Sequence, residues 1–195
     1  MSGPMMKPIL FNTEMTRAIL GGRKTVTRRV IKQAVQQAHW WEYNDDGGVD
    51  FMCGANSQSG DGISFGDWVV TIKPPYKVGD VLYVRETYYE HLDGSYYYRA
   101  DGDLRPTGWQ GNWTPSIHMP QKAARLFLRV TDVRPERLQD IMDSPHGSDN
   151  QIVREGYKYG CDFIAGWQDV IKRADWPYSW DANPWGMGHR VRGDR

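Results

Sequence analysis

Arg23, Lys24, Thr25, Thr27, Arg28 and Arg29 stand in one run, Gly21-Gly22-Arg23-Lys24-Thr25-Val26-Thr27-Arg28-Arg29. These residue types suit a negative ligand or a reaction that develops negative charge. Guanidinium groups hold phosphate or an oxyanion, an ammonium taken out of water gives up its proton more readily, and a hydroxyl beside a base becomes a nucleophile. Five of the ten residues from Arg23 to Lys32 are cationic, in a chain whose Lys+Arg and Asp+Glu totals both equal 24. The excess is local, so a local pocket is expected. Zero net charge argues against coating of long duplexes through an overall field.

Other chemistries find little support. His39, His91, His118, His146 and His189 are scattered without metal-ligand spacing, and Cys53 and Cys161 form no Cys-x-x-Cys pair. No metal, cofactor or disulfide framework is therefore expected. No serine sits in a Gly-x-Ser-x-Gly elbow, and no glycine loop of the phosphate-binding type is present. Arg85 and Glu86 are adjacent and read either as a pocket pair or as a structural salt bridge. Trp109, Trp113, Trp176, Trp180 and Trp185 could stack on a base or pin loops to the core.

The elements that must position the basic run are legible. Asn12 or Thr13 caps a short helix with Met15, Ala18 and Ile19 on its apolar face, and Gly21-Gly22 ends it. The β-branched residues from Thr25 to Ile31 then favour a strand, with Lys24 either on it or in the preceding turn. Trp40–Tyr43 and Val49–Met52 flank an Asp45-Asp46-Gly47-Gly48 turn and read as a hairpin. Further strands are expected at Trp68–Ile72, Val81–Thr87 and Tyr96–Arg99, and a central one at Arg125–Val133. Pro135 should open a helix through Leu138 and Ile141, a short helix should cover Ser148–Glu155, and a longer one should carry Phe163, Trp167, Val170 and Ile171. The glycine-rich, basic stretch 186–195 has little to bury and reads as a mobile tail.

A length of 195 residues fits a single domain over 5–195, with Met1-Ser2-Gly3-Pro4 read as a cloning remnant. No apolar run approaches membrane-spanning length, so a cytoplasmic protein with no membrane association is expected. Short strands broken by short helices and long loops indicate an α+β domain on a curved or closed sheet.

Lys7-Pro8-Ile9-Leu10-Phe11, the basic run, Val78-Gly79-Asp80-Val81-Leu82-Tyr83-Val84-Arg85-Glu86-Thr87 and Asn183-Pro184-Trp185 resemble, in order, the phage and prophage branch of the ASCH family. The resemblance spans residues 7 to 185 apart from insertions near 35–65 and 100–120. It implies a PUA-like β-barrel with short peripheral helices and long loop insertions, a fold associated with RNA and modified nucleosides. The members that hydrolyse N4-acetylcytidine use a Lys, a Thr three residues later and a Glu from the second half of the domain. On this chain the matching positions are Lys24, Thr27 and Glu155.

Amide hydrolysis needs a nucleophile, a base and a group that stabilises the oxyanion. The resemblance implies that Thr27 supplies the hydroxyl, Lys24 the base and Glu155 the group that orients the lysine or binds a cytosine amino group. Arg23, Thr25, Arg28, Arg29, Arg85 and Glu86 are then candidates for holding the nucleoside or phosphate. The expected ligand is a modified nucleoside or single-stranded RNA, with no obligate protein partner. Two rivals stay open: a non-catalytic RNA-binding module and a metal-independent ribonuclease using the same groups.

Overall fold

The computed structural model describes residues 6–32, 35–53, 68–105, 111–143, 150–171 and 176–194, without the side chains of His39, Cys53, Trp68 and Trp176. The leader 1–4, Trp109 and His146 lie outside the described residues. The strands are β1 (Met6–Leu10), β2 (Val26–Val30), β3 (Ala38–Tyr43), β4 (Val49–Cys53), β5 (Trp68–Ile72), β6 (Val81–Arg85), β7 (Tyr88–Glu90), β8 (Tyr96–Tyr98), β9 (Phe127–Arg137) and β10 (Trp185–Gly193). The helices are α1 (Thr13–Leu20), α2 (Gln151–Arg154) and α3 (Gly160–Ile171), with short 3-10 turns elsewhere in the chain. The chain is thus of mixed α+β class. Among the described residues no helix is long and apolar enough to cross a membrane.

Five strands form the main sheet in the order β1-β6-β9-β10-β2, with β1 and β6 parallel and the other pairs antiparallel. A flat sheet of this size would hold its outer strands about 19 Å apart. Instead Arg29 on β2 donates from Nη2 to the Leu10 carbonyl on β1 at 3.0 Å. The sheet therefore curls until its two edges face each other, although among the described residues no backbone ladder joins them. Ile9, Leu82, Val84, Leu128, Val130, Met187 and Val191 fill the concave side, and Val49, Phe51 and Ile72 of the β3-β4-β5 sheet cover the same core.

Local chemistry sets the elements that flank the seam. The Asn12 side chain accepts from the Met15 amide at 2.8 Å and caps α1. At the other end Gly22 takes φ +70, and the amides of Arg23 and Lys24 both donate to the Ala18 carbonyl. This reverses the chain and leaves Lys24 in the turn before β2. A second cluster of Leu138, Ile141, Ile152, Phe163, Trp167 and Ile171 packs α2 and α3 together, with Val30 of β2 against it.

Three features differ from the sequence-based expectation. Residues 186–194 do not form a mobile tail, because β10 runs through Gly193 between β9 and β2, and Arg195 lies outside the described residues. Its inward positions Trp185, Met187, His189 and Val191 alternate through the core, and the bare strand at Gly188 leaves room for the Glu136 side chain. Pro135 does not open a helix: β9 continues to Arg137. β6 pairs with β9 only over Phe127–Arg129, so Pro135 lies where β9 has no neighbour on that side and needs no amide there. Val170 lies on α3 as expected but is exposed rather than buried.

Candidate functional site

Between the facing edges of the curled sheet lies a cleft of about 680 Å3, bounded by β1, the start of α1, β2, Tyr76, the residues after α2 and one face of α3. Lys24, Thr27, Arg28, Arg29, Arg85 and Glu155 all line it. Lys24, Thr27 and Glu155 are 5%, 2% and 4% exposed, so the ionic groups are largely withdrawn from bulk water.

Lys24 Nζ donates to the Val26 carbonyl at 2.9 Å, to the Glu155 carbonyl at 2.9 Å and to Glu155 Oε2 at 2.7 Å. Three acceptors match the three protons of an ammonium. Burial lowers the affinity of Lys24 for its proton, Glu155 opposes that, and the charges of Arg29 and Arg28 add to the lowering. The ammonium also lies over the Phe11 ring, 5.5 Å from its centre.

Glu155 is shared. Its Oε1 accepts from Arg28 Nη1 at 2.9 Å while Oε2 holds Lys24. Arg28 also donates from Nη2 to Gln151 at 3.0 Å and to Glu136 Oε2 at 3.1 Å. Its Nε lies 2.9 Å from Glu136 Oε1, an ion-pair contact without hydrogen-bond alignment. The result is an alternating row of charges, Lys24, Glu155, Arg28, Glu136, in which no buried charge faces only its own sign.

Two glycines make this row possible. Gly156 has φ +95, and a Cβ there would come within 2.9 Å of the Ala18 Cβ, so the turn that presents Glu155 to Lys24 is closed to side chains. A Cβ on Gly188 would overlap Glu136 Oε1. Gly188 stands opposite Arg28 in the β10–β2 register, so Glu136 crosses the bare strand to reach the arginine.

Thr27 is opposite His189 across the β2–β10 pair. His189 is fully buried, neither ring nitrogen has a well-aligned hydrogen-bond partner among the described residues, and the ring packs edge-on against Tyr76 at 5.2 Å. Burial first, and then Arg29, depress its pKa to about 4. The histidine is therefore neutral at physiological pH, buried on the strand opposite Thr27. Metal-ligand spacing, the criterion that the five histidines fail, does not single it out. The signal that could have found it is its place in the Trp185, Met187, His189, Val191 alternation.

Not all expected residues converge. Arg23 and Thr25 point away from the cleft into a separate groove. Glu86 is buried and receives both Arg125 Nε at 2.9 Å and Arg125 Nη2 at 3.1 Å. It is a structural ion pair, not a partner of Arg85. Arg85 reaches the cleft while donating to the Met119 carbonyl at 2.9 Å and to that of Ile117. The aromatic lining also differs from expectation. Phe11, Tyr76, Tyr157, Phe163 and Trp167 line the cleft. Trp185 is buried against Phe51, Trp180 packs on Phe163, and Trp113 stacks under Arg105.

The arrangement offers an apolar, ring-bearing cavity with a lysine, a hydroxyl and a carboxylate on one wall. No protein-family model, characterised protein or solved structure matches this chain.

Proposed function

We propose that the cleft receives an acylated cytosine nucleoside and hydrolyses its exocyclic amide, in a PUA-like barrel of the ASCH type working in the cytoplasm. The observation that carries this reading is the convergence of Lys24, Thr27 and Glu155 on one cleft wall, from positions far apart in the chain. Rings such as Phe11 and Tyr76 suit a planar base, and Arg29 suits an oxyanion or phosphate. The facing of β1 and β2 supports the barrel likeness.

In the proposed reaction Thr27 Oγ1 attacks the acyl carbon, and its proton passes through the neutral form of Lys24 to the leaving exocyclic nitrogen as the C–N bond breaks. Water then attacks the threonyl ester, returning a proton to Thr27 Oγ1 and releasing the carboxylic acid. One water is consumed for each amide. Glu155 Oε1 is held by Arg28 and its Oε2 by Lys24, so in this reaction Glu155 orients Lys24.

A second reading, a binding module without catalysis, draws on the closed donor set of Lys24, whose three protons are spent on Val26 and Glu155. Release of acetate from N4-acetylcytidine by the purified protein separates the two. Lys24→Ala, Thr27→Ala and Glu155→Gln should each lower turnover by about 10²-fold or more, the scale of lost proton transfer or charge stabilisation. A folded wild-type protein that binds the nucleoside but releases no acetate overturns the hydrolase and leaves the binding module. Metal-independent scission of an RNA strand would favour phosphodiester chemistry instead.

A further inference from the structure

Lys24 and Glu155 face the cleft, but their sequence neighbours do not. Arg23 and Thr25 on one segment, and Arg154 on the other, line a separate groove with Thr131, Arg190 and Arg192. The two segments are tied together there: the Thr25 amide donates to the Arg154 carbonyl at 2.8 Å, and the Val191 amide donates to the Thr25 carbonyl at 2.8 Å. Alternate residues of the same short stretches therefore serve two concave surfaces. Neighbouring Cα atoms are about 3.8 Å apart, so the groove and the cleft lie on either side of one shared wall.

The groove carries four guanidinium groups and no carboxylate among the described residues of its lining. Several cations elsewhere have carboxylate partners: Arg17 with Glu14, Arg125 with Glu86 and Asp101, Arg129 with Asp194, and Lys7 with Asp80. Arg23, Arg190 and Arg192 are exposed and form no ion pair among the described residues. Asp132 stands opposite Arg190 in the β9–β10 register, yet no ion pair joins them. A register shift between Arg190 and Val191 accompanies this, Val191 remains in the core, and the Thr131 hydroxyl donates to the Arg190 carbonyl at 3.2 Å. Like charges gathered on a folded surface repel one another, and a bound polyanion relieves that repulsion.

We propose that this groove binds the phosphodiester backbone of a single-stranded nucleic acid whose base occupies the adjoining cleft. The inference rests on the nucleoside reading of the cleft and extends it. The natural ligand is a residue within a strand, held by arginines through phosphates and by the cleft through one base. Guanidinium groups suit this role because their fixed forks bind phosphate oxygens in pairs.

The test uses the whole chain and a fluorescently labelled twelve-nucleotide oligouridylate, with a matched oligodeoxythymidylate and polyglutamate as competitors. Arg190→Gln combined with Arg192→Gln should weaken oligouridylate binding about 10-fold or more. The slope of log affinity against log salt should fall by about 0.7 for each phosphate that the variant no longer neutralises. Equal weakening for both oligonucleotides identifies the shared backbone; weakening for one alone identifies its sugar, and both support the groove. Unchanged affinity and slope, with the variant's melting temperature preserved, overturn it, as does polyglutamate competing as well as the oligonucleotides. Arg23→Gln supplies an independent variant on another segment if the strand substitutions impair folding. Turnover of free N4-acetylcytidine is measured alongside and reads the cleft alone. A wild-type protein without turnover, whose oligonucleotide binding still depends on these arginines, ends the hydrolase reading and leaves the groove standing.

Discussion

Lys24 and Glu155 are 131 positions apart in sequence and 2.7 Å apart in space, both nearly excluded from solvent. Removing one member of such a buried pair leaves a charge without its counterion, which typically costs about 3–5 kcal/mol. Glu155→Leu should be the more damaging change, because it strips the shared carboxylate from both Lys24 and Arg28. Lys24→Met leaves Glu155 with Arg28 and should cost less. The double variant should be more stable than the sum of the two singles implies, and urea unfolding of all three reads the coupling. Additive losses would mean that the two side chains do not stabilise one another.

Gly188→Ala tests the row of charges from its other end. The new Cβ would overlap Glu136 Oε1, so Glu136 must withdraw from Arg28 or β10 must shift. A loss of about 1–3 kcal/mol is expected, the range for overpacking a well-filled site. In a Glu136→Ala background, where the obstruction is gone, the same alanine should cost much less. An equal cost in both backgrounds would place the role of Gly188 in the strand backbone instead.

These glycines also show how far the chain could be read without its structure. α1, the hairpin of β3 and β4, and the strand that carries the second half of the basic run are local features, set by a cap, a turn and β-branched residues, and they lie where those signals put them. β10 failed as a sequence signal because Gly186 and Gly188 look like flexibility. At Gly188 the reason is a carboxylate on β9 reaching across to an arginine on β2, an interaction spanning three strands. The cleft divides the same way. Lys24, Thr27, Arg28 and Arg29 come from one contiguous run, whereas the outward turn of Arg23 and Thr25 depends on how α2 and β10 meet that run.

His189 should make stability fall in mild acid. Its folded-state pKa is depressed to about 4 from an ordinary 6.5, by burial and by Arg29, with Tyr76 packed on the ring. Between these values the unfolded chain binds a proton that the folded chain refuses, so stability declines as pH falls from about 6.5 toward 4 and is undiminished above. At about 1.4 kcal/mol per pH unit the full decline is about 3 kcal/mol. His189→Leu should flatten the dependence in that window. A His189→Leu protein that keeps the wild-type slope would assign it to other groups.

The electrostatics of Lys24 make opposite predictions for its two kinds of neighbour. If neutral Lys24 is the base, kcat/KM should rise with pH through an apparent pKa below the ordinary lysine value, because burial disfavours the ammonium. Arg29 lowers that pKa by charge repulsion, so Arg29→Gln should raise it and move the limb to higher pH. Glu155 raises it by attraction and hydrogen bonding, so Glu155→Gln should move the limb to lower pH. Each variant should also lower the maximal rate, since Arg29 can hold the oxyanion and Glu155 orients the amine. The direction of the pH shift is independent of that loss, which is why the profile and not the rate at one pH is the decisive measurement. A structural lysine gives no reason for the two substitutions to move the profile in opposite senses. Shifts of the same sign, or no shift in either variant, would remove Lys24 from the titrating role and leave Thr27 to be activated by another group.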